Sequence, residues 1–185
     1  MIIEDGKMVT LRELRKEDAK LMLEWMHDKK IQASFKKNMM DITLEKAEEF
    51  CINARIPEEI CDGLCVHFAI VDENDEYLGT ISLKNIDLYD ERAEYAIALR
   101  PSAHNRGVAY EATMKVLSKA FDEYNLHRVY LTVVETNHNA IKLYEKCGFT
   151  YEGELRSHIK CNGIFVNWKL YGLIDDEFRN LLNDN

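Results

Sequence analysis

The segment that decides the fold is Arg-Pro-Ser-Ala-His-Asn-Arg-Gly-Val-Ala-Tyr-Glu-Ala, residues 100–112. It follows an alternating apolar stretch that predicts a strand, and it leads into a helical pattern. Pro101 ends the strand, Gly107 permits a backbone conformation that a side chain would obstruct, and Ala109 keeps the first helical turn small. The free N–H groups at such a helix start favour a pyrophosphate. An ordinary helix start is the alternative, because a Gly-x-Ala pair alone is a weak signal.

Hydrophobic patterns on both sides of this segment predict a single α/β domain. The order of elements is βααβββαβαββ, which corresponds to a mixed, mostly antiparallel sheet of about seven strands with helices on both faces. Strands are predicted at 9–14, 66–71, 77–83, 94–99, 128–134, 149–155 and 164–174, and helices at 16–27, from Thr43, at 107–124 and at 137–147.

Composition narrows the choice of partner. The 185 residues are 46% hydrophobic, which is enough for one core. The 24 basic residues against 33 acidic ones give a net charge of −9, and no basic stripe is long enough to follow a phosphate backbone. We therefore expect no nucleic acid partner. The acidic balance favours cationic substrates, although a charged surface that keeps the protein in solution is the simpler explanation.

The cysteines favour a reducing compartment, and the hydropathy pattern argues against a membrane span. Five cysteines without a Cys-x-x-Cys pair favour neither a disulfide framework nor a zinc site. Cys61, Cys65 and His67 come nearest to a metal spacing but lack a second ligand cluster, so we expect no metal. No run approaches the ~20 apolar residues that span a bilayer, and residues 1–5 lack a basic stretch followed by an apolar one. We expect a cytoplasmic protein without a membrane partner.

A second motif, Asn-His-Asn-Ala-Ile-Lys-Leu-Tyr-Glu-Lys-Cys-Gly-Phe, occupies residues 137–149. Together the two motifs resemble the GNAT family of N-acetyltransferases. The pyrophosphate loop of that family has the pattern Gln/Arg-x-x-Gly-x-Gly/Ala, and a later helix has Asn-x-x-Ala-x-x-x-Tyr-x-x-x-Gly-Phe. The loop pattern is matched at Gly107 and Ala109 and departs at His104. The helix pattern is matched at every named position, by Asn137, Ala140, Tyr144, Gly148 and Phe149.

Two shorter stretches narrow the resemblance to one branch of the family. Ala-Glu-Tyr-Ala-Ile at 93–97 and Tyr-Glu-Ala at 110–112 are similar to the branch that contains ribosomal-protein N-terminal acetyltransferases and bacterial spermidine acetyltransferases. This implies a primary amine acceptor on a polyamine, an amino sugar or a protein N-terminus. It also divides the domain into an N-terminal strand with acceptor-side helices (1–62), a cofactor-binding core (64–155), and a C-terminal strand and tail (156–185).

The resemblance implies acetyl-CoA as the donor and direct attack by the amine in a ternary complex. The strand at 94–99 would splay from the strand at 128–134, so that the pantetheine arm fits between them. Leu99 and its neighbours would offer backbone N–H groups to the thioester oxygen. The implied donor-binding residues are Leu99, His104, Asn105, Arg106, Gly107, Val108, Ala109, Tyr110 and Asn137.

Two residues are candidates for proton transfer. The resemblance places the phenol of Tyr144 beside the departing sulfur as general acid, and packing on the helix face is the alternative. Glu94 is the candidate general base, because strand alternation places it on the same face as Ala96. A salt-bridged strand carboxylate is the alternative for Glu94. His67 and His138 are further candidates for the base, although a lone histidine is usually a surface or satisfied residue.

Other functions and roles remain open at this level. A non-catalytic acyl-CoA-binding sensor with the same fold is the alternative function, and a succinyl or longer acyl donor is a third possibility. Trp25 contacts either the acceptor or, by its helical spacing, the sheet. The acidic residues Glu58, Glu59 and Asp62 attract a cationic acceptor or form a solvated surface. A homodimer is compatible with the sequence.

Overall fold

The computed structural model describes residues 9–32, 38–161 and 163–183, so the ends of the predicted segments 1–62 and 156–185 lie outside it. The predicted order of strands and helices is present, and the described ranges contain two additional α-helices, α2 and α6, and a short 3-10 helix at Pro101–Ala103. The elements are β1 (Thr10–Glu13), α1 (Asp18–Met26), α2 (Lys29–Gln32), α3 (Leu44–Asn53), β2 (Val66–Val71), β3 (Tyr77–Asp87), β4 (Arg92–Leu99), α4 (Val108–Ser118), β5 (Arg128–Val134), α5 (His138–Lys146), β6 (Thr150–Cys161), β7 (Ile164–Ile174) and α6 (Asp175–Asn183).

The last strand has its predicted bounds, 164–174, and the C-terminal helix α6 forms in the tail that follows it. Asp175, Asp176 and Glu177 occupy its first turn, where carboxylates interact favourably with the helix dipole. Phe178 is buried against Phe121, with ring centroids 5.2 Å apart. The acidic triplet before an apolar residue was the signal for this helix in the sequence.

The seven strands form one sheet in the order β1-β2-β3-β4-β5-β7-β6. Every neighbouring pair is antiparallel except β4 and β5, which are parallel because α4 crosses over between them. This arrangement is the predicted mixed, mostly antiparallel sheet.

Alternating side chains build a hydrophobic cluster on each face of the sheet. In β2, Phe68 and Ile70 point to the cluster that contains α4, α5 and α6, which we call the α4 face. Ala69 and Val71 point to the cluster that contains α1 and α3, which we call the α1 face. The prediction of helices on both faces is therefore confirmed. No helix in the described ranges is both long and apolar enough to span a bilayer.

The centre of the sheet opens between β4 and β5. Residues 92–94 of β4 pair with residues 128–130 of β5, and no further pairs between these strands exist in the described part of the chain. The outer edges remain paired, since β4 follows β3 as far as Leu99 and β5 follows β7 as far as Val134. We call the opening between 95–99 and 131–134 the splayed gap, and it matches the predicted divergence of these strands.

Candidate active site

The start of α4 forms an anion cradle built from backbone. Gly107 precedes the helix with φ 78° and ψ −10°, a left-handed conformation that favours glycine. The N–H of Glu111 bonds to the carbonyl of Gly107 at 3.1 Å, so the N–H groups of Val108, Ala109 and Tyr110 precede the first intrahelical bond. A Cβ on Gly107 would meet no atom within 4 Å. Open space before unpaired N–H groups fits a pyrophosphate.

Side chains in the loop at 100–107, before α4, form hydrogen bonds with nearby backbone carbonyl groups. Nε2 of His104 lies 3.3 Å from the carbonyl oxygen of Leu99, and Nη1 of Arg106 donates to the carbonyl of Ser102 at 3.3 Å. Asn105 adopts a left-handed φ of 58°. The departure from the family pattern at His104 therefore gives a residue that connects the loop to the end of β4.

The end of β4 is fixed by Arg100, which the sequence analysis did not identify as a functional residue. Its buried guanidinium donates to both carboxylate oxygens of Glu24 on α1, at 2.8 and 3.1 Å, and to Glu76 at 2.5 Å. It also donates to the carbonyl of Tyr77 at 2.8 Å. Glu24 is distant in sequence, so a single sequence contains no signal for this contact. Arg100 thus connects helix α1 to the rim of the splayed gap.

Tyr144 lies on α5 and is buried on the α4 face. Its ring packs edge-on against Tyr95 of β4 at 5.8 Å and against Phe149 at 6.0 Å. Tyr95 is the first residue of β4 beyond the paired segment, so Tyr144 is adjacent to the start of the splayed gap. Burial raises the pKa of the Tyr144 phenol above its ordinary value, with a smaller contribution from Cys147. The phenol is therefore protonated at neutral pH and can donate a proton.

A buried hydroxyl pair connects the splayed gap to the anion cradle. The hydroxyl oxygens of Tyr95 and Thr113 are 2.7 Å apart, and the Thr113 hydroxyl donates to the carbonyl of Ala109 at 2.6 Å. Burial raises the pKa of Tyr95 well above its ordinary value. This neutral network fixes the first turn of α4 against β4. A threonine on the buried side of a helix was the only sequence signal for it.

Asn137 caps α5. Its side-chain oxygen accepts a hydrogen bond from the N–H of Ala140 at 3.3 Å. A cap at this position sets where α5 begins, and it thereby places Tyr144 on the helix.

Glu94 lies on the opposite face of β4 from Tyr95. Its carboxylate accepts hydrogen bonds from Lys84 and from Asn85, each at 3.0 Å. It pairs in register with Tyr130 of β5, in the last rung before the splayed gap. The structure therefore places Glu94 on the α1 face with Ala96, as predicted, and on the other side of the sheet from Tyr144.

Several other candidates have structural partners. Trp25 is buried and donates its indole N–H to the hydroxyl of Tyr77 at 3.0 Å, so it packs against the sheet. Asp62 accepts a hydrogen bond from the N–H of Leu88 at 2.6 Å. His138 is exposed at the first turn of α5. Within the described ranges, no group of three or more His, Cys, Asp or Glu side chains is arranged to hold a metal ion.

The splayed gap opens between the helix start at Gly107 and the buried phenol of Tyr144. This geometry suits an acyltransferase that uses a CoA thioester. Comparison with known families agrees. The model of the acetyltransferase (GNAT) domain matches residues 8–150. The chain belongs to this family, and it is an N-acetyltransferase of class EC 2.3.1.

Individual relatives share this assignment. The chain is 29% identical over 123 residues to a spermidine N(1)-acetyltransferase of Vibrio cholerae, which covers 66% of this chain and 71% of that protein. It is 34% identical over 98 residues to the spermidine N(1)-acetyltransferase of Escherichia coli K12, about half of each chain. The crystal structure of the V. cholerae spermidine N-acetyltransferase in complex with CoA and spermine superposes with a TM-score of 0.80 at 25% identity, covering 93% of this chain and 98% of that one.

Proposed function

We propose that the protein transfers an acetyl group from acetyl-CoA to a primary amine of a polyamine, by direct attack in a ternary complex. The observation that supports this most is the position of the splayed gap between the anion cradle at Gly107 and the buried phenol of Tyr144. The donor supplies an acetyl thioester, which is already activated toward amines. The protein therefore has to position two substrates and move protons.

Backbone groups hold the donor in this proposal. The N–H groups of Val108, Ala109 and Tyr110 bind the pyrophosphate at the positive end of α4. Beyond Glu94, the edge of β4 that faces β5 has backbone groups that no strand pairs with in the described part of the chain. These groups are available to the pantetheine amides, and those near Leu99 are available to the thioester oxygen.

Side chains carry the proton chemistry. The Tyr144 phenol donates a proton to the departing sulfur, because burial holds it protonated. Glu94 supplies a carboxylate on the α1 face, where it attracts the cationic acceptor and serves as a candidate proton acceptor. A chain with net charge −9 also attracts polyamines over longer distances.

The similarity to spermidine N(1)-acetyltransferases supports a polyamine as the acceptor. The test is a thiol-release assay with acetyl-CoA and four acceptor classes: polyamines, amino sugars, free amino acids and peptides with a free N-terminus. We expect the highest kcat/KM for spermidine or spermine. N1,N8-diacetylspermidine, which has no primary amine, is the matched control and should release no CoA.

Each other outcome has a distinct meaning. A higher kcat/KM for a peptide N-terminus would overturn the polyamine assignment and retain the N-acetyltransferase. Tight CoA binding without release on any acceptor would favour the non-catalytic sensor. A higher kcat/KM with succinyl-CoA than with acetyl-CoA would show that the acyl donor is succinyl-CoA.

We also propose that the chain forms a homodimer through the hairpin of β6 and β7. The edge strand β6 is exposed along most of its length, and Tyr151, Leu155, Ile164 and Phe165 of the hairpin are exposed apolar residues. An edge strand with apolar side chains tends to pair with another chain. Light scattering should show twice the monomer mass, and a monomer at micromolar concentration would contradict this.

A further inference from the structure

A row of three residues crosses the α1 face and ends at the splayed gap. His67 of β2 pairs in register with Ser82 of β3, and Ser82 pairs in register with Ala96 of β4. His67 lies on the α1 face, since its ring packs against Phe50 of α3 with centroids 5.1 Å apart. The next row toward the closed end of the gap contains Lys84 and Glu94.

His67 and Ser82 form a hydrogen-bonded pair. Nδ1 of the imidazole lies 2.7 Å from Oγ of Ser82. Ser82 is itself buried and lies between the imidazole and the strand that borders the gap. A serine in this position can donate its proton to the imidazole and take another proton from the opposite side.

The surroundings keep the imidazole neutral. Burial lowers the pKa of His67 below its ordinary value of 6.5, and the positive charge of Lys84 lowers it further. The groups that face the imidazole are Ser82 and Lys84 from β3, with Glu94 of β4 bonded to Lys84, and the uncharged ring of Phe50 from α3. A neutral imidazole has an unprotonated nitrogen available at pH 7.

We propose that Ser82 and His67 form a relay that removes the proton from the acceptor amine, an inference that rests on the proposed function. Oγ of Ser82 accepts a proton from the acceptor ammonium, directly or through one water molecule. In the same step the Ser82 hydroxyl gives its own proton to Nδ1 of His67. The products are a neutral amine, an unchanged serine and an imidazolium, so no further reactant is needed.

The position of Glu94 favours the relay over this carboxylate as the proton acceptor. Both oxygens of Glu94 already accept hydrogen bonds, from Lys84 and Asn85. Glu94 lies in the last paired row of β4 and β5, whereas Ala96, the partner of Ser82, lies beyond it, beside the opening. The relay is therefore one row nearer to the open end of the gap, and Glu94 remains a charged group that attracts the acceptor.

The test is the pH dependence of kcat in four variants of the full chain. His67→Gln and Ser82→Ala should each lower kcat at least tenfold and flatten the acid limb, because a general base contributes ~10² to 10⁴ in rate. Ser82→Thr keeps the hydroxyl and should restore most of the activity. His127→Gln, at an exposed histidine bonded to Asp175, is the matched control and should behave as the wild type. Thermal shifts with CoA should be the same in all variants.

A second measurement separates a relay from a structural role. Nitrogen NMR of the imidazoles in the CoA-bound protein should show an unprotonated Nδ1 on His67 and a pKa below 6.5, and Lys84→Met should raise this pKa. Wild-type kcat and an unchanged acid limb in His67→Gln would overturn the relay. Loss of the acid limb only in Glu94→Gln would assign the proton to Glu94 instead. Failure of the polyamine proposal is distinguishable from failure of the relay, because it appears in the assay with the four acceptor classes. The relay is then tested with the amine that reacts in that assay.

Discussion

The two faces of the splayed gap are built in different ways. On the α4 face, the proposed donor site consists of the backbone conformation at Gly107 and of buried neutral hydroxyl groups, those of Tyr95 and Thr113. On the α1 face, two ion pairs lie beside the gap, Glu94 with Lys84 and Arg100 with Glu24. Substitutions change side chains more easily than backbone. With the donor on the α4 face and the acceptor on the α1 face, as proposed, the donor half suits a constant ligand and the acceptor half determines which amine reacts.

The strongest test of the α4 face is Tyr144→Phe. The lost hydroxyl matters only once charge gathers on sulfur, so kcat should fall about a hundredfold, within the ~10² to 10⁴ range of general acid catalysis. The ring contacts with Tyr95 and Phe149 remain, so CoA binding should change less than twofold. Steady-state kinetics and titration calorimetry measure the two effects.

The pH profile adds a check on the same residue. Because burial raises the pKa of the Tyr144 phenol above its ordinary value of 10, the wild-type alkaline limb should lie above pH 10 and should be absent from the variant. Wild-type kcat in Tyr144→Phe would remove the phenol from the mechanism. The rate would then come from positioning and from backbone N–H groups.

The backbone cradle is tested by a pair of glycine substitutions. Gly107→Ala should weaken CoA binding about tenfold, because the new methyl group projects into the space that the pyrophosphate occupies. Gly63→Ala is the matched control, since Gly63 has φ 77° against 78° at Gly107, and a Cβ at either position meets no atom within 4 Å. Both substitutions should cost about 1–2 kcal/mol of folding stability in the absence of ligand, from the left-handed backbone alone.

Calorimetry with CoA and urea unfolding separate binding from strain in these two variants. Equal CoA affinity in Gly107→Ala and Gly63→Ala would show that Gly107 only begins a helix. The comparison between the two faces would then lose its main support, because the donor site would no longer depend on backbone conformation.

The features that the sequence predicted are local motifs, and the features that it missed are contacts between residues far apart in the chain. The family motifs in the sequence predicted the helix start at Gly107, the position of Tyr144 on a helix and the splayed strands, because these patterns are local. It did not predict the contact of Arg100 with Glu24, which are 76 positions apart, or the register that joins His67 to Ser82. Such contacts depend on how strands align, and hydrophobic alternation fixes the face of a side chain but not its cross-strand partner.

Arg100 connects α1 to the end of β4, and its loss should affect the acceptor more than the donor. Arg100→Met removes charge-assisted hydrogen bonds to Glu24 and Glu76, and it should destabilise the fold by about 2 kcal/mol. Since α1 loses its bond to the rim of the gap, the KM for the amine should rise a few-fold with CoA affinity unchanged. Arg179→Met, at an ion pair whose side chains are about half exposed, is the control and should cost under about 0.5 kcal/mol. An equal loss in both variants would contradict a specific role for Arg100.

The smallest functional effect is expected from Trp25→Phe on the α1 face. Trp25 is buried and donates to the Tyr77 hydroxyl, which in turn lies 2.6 Å from Oγ1 of Thr80. The substitution should cost about 1 kcal/mol for the lost hydrogen bond, with a further cost for the smaller ring, and urea unfolding measures it. The KM for the acceptor should change less than twofold, because the indole packs against the sheet. A large rise in KM with little loss of stability would place Trp25 in the acceptor pocket, and the α1 face would then recognise its amine with an aromatic ring as well as with charge.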